Sequence, residues 1–281
     1  MSEPFGYCLN TGTIRGHKLG IVQEVELAAA AGYDAIEPWI DEIQSYRQGG
    51  GSLRDLRRRI ADAGLKVPSA IGFARWLADQ RSRRARGLEE ARRDMELVRR
   101  IGGTGIAAPP AGMIKRKGLS PFVAAERYRA LLDVGRRAGV VPILELWGFS
   151  TCLSRLGEVA MAAIEAGRDD ACLLLDVYHI YKGGSDFAGL KAFPGHAVRV
   201  LHMNDYPARP SRRRITDAHR VYPGEGIAPL RQVLRDLHAT GFRGWLSLEL
   251  FNREYYKQPA PKVARTGLAK MKAAVRKAIR P

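Results

Sequence analysis

Four ionisable side chains occur at equivalent points of four short apolar segments in the second half of the chain. Glu145, Asp176, His202 and Glu249 are each flanked by apolar residues typical of buried β-strands. A charge in such a segment is costly unless it is paired or coordinated. One such residue would most often form a structural ion pair, but four that converge favour a metal. Three carboxylates and one imidazole suit a divalent ion such as Mn²⁺, Mg²⁺, Co²⁺ or Zn²⁺.

The convergence follows from the elements that are predicted to carry these residues. Short β-rich segments alternate with amphipathic helices, and glycine ends most of these helices, as a left-handed C-cap requires. Eight units of this kind indicate a parallel sheet and predict an α/β fold, a single (β/α)₈ TIM barrel over residues 1–281. Catalytic groups of such barrels lie at the carboxyl ends of the strands. The eight predicted strands span 5–10, 35–39, 66–71, 105–109, 140–146, 172–177, 198–203 and 245–250.

The predicted helices separate these strands. Residues 262–280 have the same amphipathic pattern as the helices between the strands. The segment 204–226, after the seventh predicted strand, is expected to be a loop, and loops of that length in a compact barrel usually carry function. The predicted helices span 21–31, 52–63, 88–101, 121–138, 155–166 and 227–240.

The composition excludes several classes of protein. A chain of 281 residues that is 46% hydrophobic and 27% charged is typical of a globular protein and not of a disordered one. Its apolar runs are too short to span a bilayer, and its first residues lack the pattern of a secretory signal. The 3 cysteines are few and widely spaced, which suits a reducing compartment. We therefore expect a cytoplasmic protein with no membrane partner.

A net charge of +17 raises the question of a nucleic-acid partner. Most arginines, however, alternate with acidic and apolar residues at helical spacing, which predicts solvated helix faces. The basic runs 115–117 and 212–214 fall in predicted loops and are better candidates for anion binding. We do not expect nucleic acid as a partner, and we leave a homo-oligomer open.

Three longer motifs around these residues resemble a known family. They are Leu-Leu-Asp-Val-Tyr-His at 174–179, Arg-Val-Tyr-Pro-Gly-Glu-Gly at 220–226, and Ser-Leu-Glu-Leu-Phe-Asn-Arg-Glu-Tyr-Tyr at 247–256. The sequence is similar, over nearly its whole length, to the xylose-isomerase-like TIM-barrel superfamily, the sugar phosphate isomerase/epimerase group. Within that group it resembles the inosose (2-keto-myo-inositol) isomerases most.

The resemblance implies a role for each residue of the site. Glu145, Asp176, His202 and Glu249 would hold one divalent metal ion, the two glutamates would move a proton, and His179 would bind substrate. Removing a proton α to a carbonyl needs a base, a returning acid and stabilisation of the developing negative charge, and a metal ion supplies the last. We therefore expect an isomerase or epimerase of a keto-cyclitol or ketose that works through an enediolate.

Further candidates for substrate contacts come from the long loop and the second predicted strand. Asp217, His219 and Arg220 lie in the loop, and Glu37 ends the strand, where an ion pair with an arginine is an equal alternative. His179, Asp217 and His219 could instead hold a second metal ion, but we favour a place in the substrate pocket. Four aromatic residues near strand ends could either wall the pocket or pack in the core: Trp39, Phe73, Trp76 and Trp147.

Three other functions remain open at this point. A keto-polyol dehydratase would begin with the same proton abstraction and then lose a β-hydroxyl group. The resemblance also includes abasic-site DNA endonucleases, which need histidines after the third and fourth strands, but segments 69–73 and 107–111 contain none. A binding protein without activity is the third alternative, and the presence of all four proposed ligands argues against it.

Overall fold

The parallel sheet at the centre of the molecule curls into a barrel. The computed structural model describes residues 4–114 and 118–279, so the basic run 115–117 lies outside the described residues. Neighbouring strands are all parallel, in the order β2-β1-β7-β6-β5-β4-β3. The strands of the described residues are β1 Gly6–Asn10, β2 Ala35–Glu37, β3 Gly105–Ala108, β4 Val141–Glu145, β5 Leu173–Asp176, β6 Val198–Met203 and β7 Trp245–Leu248.

Helices connect the strands and pack around the sheet. Between the helices and the sheet lies one large cluster of buried apolar side chains. The predicted alternation of strand and helix, and with it the α/β barrel class, is confirmed. The helices are α1 Ile21–Ala31, α2 Ile40–Gln48, α3 Leu53–Asp62, α4 Arg81–Arg100, α5 Pro121–Ala138, α6 Leu156–Glu165, α7 Val177–Gly183, α8 Leu230–Ala239 and α9 Ala260–Ile279.

The third predicted strand, at 66–71, is not a regular strand. This segment lies between β2 and β3 and forms only isolated bridges, at Lys66 and Ile71, to the β2 side. It still bonds to both neighbours: Ile36 N–H donates to Lys66 O at 2.9 Å, and Ala107 N–H donates to Ala70 O at 2.8 Å. Pro68 in its middle has no N–H, which interrupts a ladder at that point. The barrel is therefore closed by seven strands and one irregular extended segment.

Side chains from around the sheet fill the barrel interior in layers. One layer is apolar and separate from the outer core; it includes Ile143, Leu174 and Val200. Successive side chains of a strand point to opposite faces, so residues two positions further along also point inward. Those positions are Glu145, Asp176 and His202. The barrel thus stacks a polar layer on an apolar one, at the carboxyl ends of the strands.

Two helices were not predicted, and one of them changes where a candidate residue lies. The helix α2 was missed, and α7 begins directly after Asp176, so His179 lies in its first turn and not at a strand end. The side chain of Asp176 accepts a hydrogen bond from the His179 backbone N–H at 2.9 Å and caps this helix. Sequence periodicity cannot detect a helix of seven residues.

The arginine-rich helices carry exposed ion pairs. Along α4, Arg92 pairs with Glu89 at 2.8 Å and Arg99 with Glu96 at 2.8 Å, each one helical turn apart. Such pairs contribute about 0 to 1 kcal/mol and leave these faces solvated. None of the helices in the described ranges is long and apolar enough to cross a bilayer.

Candidate metal centre and substrate cavity

Three ligand-type side chains meet at the carboxyl ends of β5, β6 and β7. Asp176 and His202 are opposite each other in the register of β5 and β6, and Glu249 follows the last residue of β7. His202 Nδ1 lies 3.1 Å from Glu249 Oε2 and 3.5 Å from Asp176 Oδ2. Within residues 4–114 and 118–279, these three are the group whose ligand atoms lie close enough together to hold one ion.

The imidazole of His202 is fixed from behind by Glu37. Its Nε2 lies 3.0 Å from Glu37 Oε2, and the same oxygen accepts hydrogen bonds from Ser247 Oγ at 2.7 Å and Asn10 Nδ2 at 2.9 Å. His202 Nδ1, completely buried, has no hydrogen-bond partner in the described chain and faces the two carboxylates. A carboxylate on one ring nitrogen and a free second nitrogen is the arrangement of a metal-binding histidine.

Asn204 and α7 together orient Asp176. Asn204 Nδ2 donates to both carboxylate oxygens, at 3.2 and 3.3 Å, while its own carbonyl accepts from the Tyr178 backbone N–H at 2.9 Å. Although burial opposes it, the charge of Arg220 lowers the pKa of Asp176 far below its usual value. Asp176 is therefore ionised and held in one rotamer.

The guanidinium of Arg220 bridges the same carboxylates. Its Nη1 donates to Asp176 Oδ2 at 2.8 Å and to Glu249 Oε2 at 2.7 Å, and its Nη2 donates to Asp217 Oδ1 at 2.6 Å. The side chain is only 1% exposed. Arg220 is thus the buried counter-cation of this acidic cluster.

Backbone anchors bring Arg220 into the site from the long loop. Asp205 accepts hydrogen bonds from the backbone N–H groups of Gly224 at 3.0 Å and Ala228 at 2.9 Å. Asp205 and Val221 also exchange backbone hydrogen bonds at 3.0 and 2.9 Å. The predicted functional loop is therefore fixed to the end of β6 by the residues that follow Arg220.

His179 is buried beside Arg220. Its Nε2 lies 3.2 Å from Arg220 Nη2, which can only donate, so Nε2 accepts and the ring proton is on Nδ1. Burial lowers the pKa of His179 and keeps the ring neutral. Nδ1 has no hydrogen-bond partner in the described chain. It is a free donor for a ligand.

Glu145 lies in the same cavity but outside the group of three. Burial, and then the charge of Glu249, raise the pKa of Glu145 to about 8, against the charge of His202 and a hydrogen bond with the Trp147 side chain. A carboxyl group with a pKa near neutrality can both take up and return a proton. Glu145 is therefore placed for proton transfer beside the candidate metal ligands.

Aromatic side chains surround the opening above these groups. The cavity has a volume of about 260 Å³, and its polar lining consists of Glu145, His179, Asp217, Arg220 and Glu249. The predicted aromatic wall is present in part, because Trp39, Phe73 and Trp147 line the cavity. Phe149 and Phe251 complete it, and no sequence signal distinguished them from core residues. Trp76 belongs to the core, where its indole N–H donates to Pro109 O at 2.7 Å.

Two predicted substrate contacts lie elsewhere. Glu37 is fully buried behind His202 and is absent from the cavity lining, so its geometry favours a positioning role. The His219 ring bonds back to Thr216, with Nδ1 2.9 Å from the Thr216 hydroxyl, as part of a short turn. A second metal site made of His179, Asp217 and His219 finds no support among the described residues.

Sequence comparisons agree with this fold. The family model of the xylose isomerase-like TIM barrel matches residues 25–274, and the chain belongs to this family. An inosose isomerase of Bacillus velezensis is 30% identical over 276 residues, which cover 96% of this chain and 97% of that protein. A 3-dehydroshikimate dehydratase of Pseudomonas aeruginosa is 28% identical over 253 residues, which cover 88% of this chain and 38% of that protein.

Solved structures of similar fold support the same conclusion. The IolI protein with a bound zinc atom superposes with a TM-score of 0.90 at 24% identity, over 99% of this chain and 100% of that one. The similar proteins are isomerases, epimerases and dehydratases. The resemblance to the family seen in the sequence is thus confirmed, and this chain is an enzyme of that family.

Proton competition gives a test of the metal centre that does not depend on activity. Burial alone would lower the pKa of His202, but the charges of Glu249 and Glu37 raise it well above its usual value. Metal-free His202 therefore carries a proton on Nδ1 that an ion must displace. We expect the apparent affinity for Mn²⁺ or Zn²⁺ to rise about tenfold per pH unit below that pKa. Calorimetric titration in two buffers of different ionisation enthalpy should detect about one released proton, and a pH-independent affinity would contradict this assignment.

Proposed function

We propose that this protein is a divalent-metal-dependent isomerase or epimerase of a keto-cyclitol or ketose, built as one domain over residues 1–281. The observation that carries the proposal is the buried His202 Nδ1, which makes no hydrogen bond of good geometry among the described residues and lies 3.1 and 3.5 Å from the carboxylates of Glu249 and Asp176. The relatives named above support the substrate class. Small polar molecules are then the partners, and Mn²⁺, Mg²⁺, Co²⁺ and Zn²⁺ the candidate ions.

Each residue of the cavity has a role in this proposal. Asp176, His202 and Glu249 hold the ion, and Glu145 joins them as the fourth ligand or stands beside them as the base. A bound ion would stabilise the negative charge that develops on the substrate when the proton is removed. Glu145 removes the proton next to the carbonyl and becomes the acid that returns it to the neighbouring carbon. An epimerisation would instead draw the returned proton from Glu249, across the mouth, which must then be protonated at the start. His179 Nδ1 and Arg220 Nε, which have no hydrogen-bond partner among the described residues, donate to the substrate oxygens, and the aromatic wall excludes water.

A dehydratase on the same site is the second candidate. The 28% identical 3-dehydroshikimate dehydratase, whose match covers 88% of this chain, favours it. Dehydration starts with the same proton abstraction, but the returning acid protonates a β-hydroxyl group and releases water. In this cavity Glu249 or His179 would have to supply that proton.

One assay separates the two candidates. The protein, loaded in turn with each of the four ions, is incubated with 2-keto-myo-inositol in D₂O and followed by NMR. An isomerase or epimerase introduces deuterium at the carbon next to the carbonyl and yields an isomer. A dehydratase yields a product that has lost water. Absence of both deuterium exchange and product, with this and a panel of ketoses, would refute the proposed function.

A substitution at His179 tests the division between ion binding and substrate binding. We expect His179→Ala to lower kcat/KM by about 10- to 100-fold, because a charge-free hydrogen bond to substrate contributes about 1 to 3 kcal/mol. Metal content should be unchanged, since the imidazole is not among the ligand atoms that face the ion. Elemental analysis of the purified variant is the measurement. Loss of the ion from this variant would show that His179 is a metal ligand.

A further inference from the structure

A second cavity lies beside the cavity lined by Glu145, His179 and Glu249, which we call the metal cavity. It has a volume of about 360 Å³ and lies between α2 and α4, next to the irregular segment 66–71. Gly72 follows this segment, and a Cβ atom there would lie 2.9 Å from the Ile106 side chain. A larger residue would press on the Ile106 side chain, so glycine lets the chain pass close to β3 at this point.

The two cavities adjoin along a common wall. Trp39, Ile71 and Phe73 line both of them. The rings of Trp39 and Phe73 have centroids 5.2 Å apart, and the Phe73 ring lies 5.9 Å from that of Trp147 on the metal side. Phe73 is 41% exposed, which is high for a phenylalanine that contacts two tryptophans. A ligand that passes over Phe73 would extend from one cavity into the other.

The far side of the second cavity is polar. Asp94, on α4, is only 5% exposed, and its carboxyl group accepts a long hydrogen bond of 3.5 Å from Gln44 Nε2. Burial, and then the charge of Glu90, raise the pKa of Asp94 to about 7, so near neutrality this group can donate as well as accept. Gln44, Glu90 and Arg93 line the same space. These groups offer donors and acceptors to hydroxyl groups.

The charges argue against a phosphate in either cavity. In the metal cavity the guanidinium of Arg220 is already shared by three carboxylates. In the second cavity Arg93 lies 3.7 Å from Glu89, and the acidic groups Asp41, Glu90 and Asp94 line the space. An anion would meet like charges there. An aromatic wall opposite hydroxyl-binding groups instead suits an uncharged polyol ring, whose C–H face is apolar and whose edge is polar.

We infer that the second cavity is a subsite for a second sugar ring, and that the substrate is a keto-sugar or keto-cyclitol joined to another uncharged polyol ring. This inference rests on the proposed function, which puts the reacting ring in the metal cavity. The cavity volumes of about 260 and 360 Å³ together fall within the usual range of ligand pockets, about 300 to 1,000 Å³. In the second cavity, the second ring of the substrate lies over Phe73, and its hydroxyl groups form hydrogen bonds with Gln44 and Asp94.

Equilibrium binding tests the subsite without turnover. The probes are glucose, as a single ring, and maltose, cellobiose and trehalose, as two rings, titrated calorimetrically into the protein as isolated. We expect at least one of the disaccharides to bind tenfold or more tightly than glucose. Gln44→Ala and Asp94→Asn should each reduce that ratio by threefold or more. Phe122→Ala is the matched control, since Phe122 is 57% exposed and lines neither cavity.

Turnover distinguishes this inference from the proposed function. The disaccharide that binds best and glucose are each oxidised to the ketone at one ring carbon and compared as substrates. We expect kcat/KM to be at least tenfold higher for the two-ring ketone, with the difference lost in Gln44→Ala. If no disaccharide binds better than glucose, or if the one-ring ketone reacts as fast, the subsite is refuted. A disaccharide preference that depends on Gln44 but comes with no turnover of any ketone would keep the subsite and refute the proposed function.

Discussion

Glu145→Gln is expected to lower kcat by at least about 100-fold, the usual loss when a general acid or base is removed. The amide has the volume of the carboxyl group but cannot take up the proton. The raised pKa of Glu145, about 8, reflects a buried group poised to exchange a proton. The measurement is the rate of deuterium exchange and of turnover on a verified substrate, with the metal content determined on the same sample.

The control for this variant is another buried glutamate. Glu24 is 1% exposed and lies on α1, away from the metal cavity, so Glu24→Gln makes the same chemical change elsewhere. We expect it to retain turnover. Full turnover in Glu145→Gln would show that Glu145 is not the base. Loss of the ion from that variant would instead identify Glu145 as a ligand, so the metal analysis separates the two roles.

The polar layer of the barrel could be predicted from the sequence because its members interrupt apolar strands. Asp176 and His202 stand out as charges among leucines and valines, and strand periodicity points them inward. Ser247 and Asn10 belong to the same layer, yet they were missed. Small polar residues in strands are common, and nothing in their spacing indicates that both bond to Glu37.

Long-range geometry accounts for what the sequence could not reveal. Glu37 was expected to contact substrate, but its position behind His202 depends on how β1, β2 and β7 pair, and no local pattern encodes that pairing. The segment 66–71 has the composition of a strand. That its hydrogen-bond ladder is interrupted is visible only from its pairing with the β2 side and β3. The second cavity lies next to that break and is lined by Gly72, and neither feature leaves a periodic signal.

The place of the long loop in the fold could not be predicted from the sequence either. Its length predicted function, and the family resemblance singled out Arg220. The position of the guanidinium between Asp176 and Glu249 depends on Asp205, which fixes the far end of the loop through backbone N–H groups 19 and 23 residues away. Such contacts between distant residues are set by the folded chain as a whole.

Arg220→Met is expected to lower the free energy of unfolding of the metal-free protein by about 3 to 5 kcal/mol. That is the usual cost of removing one partner from a buried ion pair, because the remaining charge stays buried and unpaired. Here the guanidinium forms ion pairs with Asp176 at 2.8 Å, Glu249 at 2.7 Å and Asp217 at 2.6 Å. Methionine keeps an apolar stem of similar length but removes the guanidinium, whose carbon lies 4.6 and 5.3 Å from the ring centroids of Tyr178 and Phe251. The decrease in the free energy of unfolding therefore reflects mainly the removal of the positive charge.

A divalent ion should restore much of this stability, since it neutralises Asp176 and Glu249 in place of the guanidinium. We expect the rise in Tm on adding Mn²⁺ or Zn²⁺ to be larger for Arg220→Met than for the unmodified protein, because binding to the folded state alone stabilises it. The measurement is denaturant and thermal unfolding of both proteins, with chelator and with the ion. Arg253→Met, at an exposed arginine near the same face, is the control and should shift neither quantity. An equal metal-induced shift in both proteins would mean that Arg220 does not serve as the counter-cation of the two carboxylates that the ion is proposed to bind.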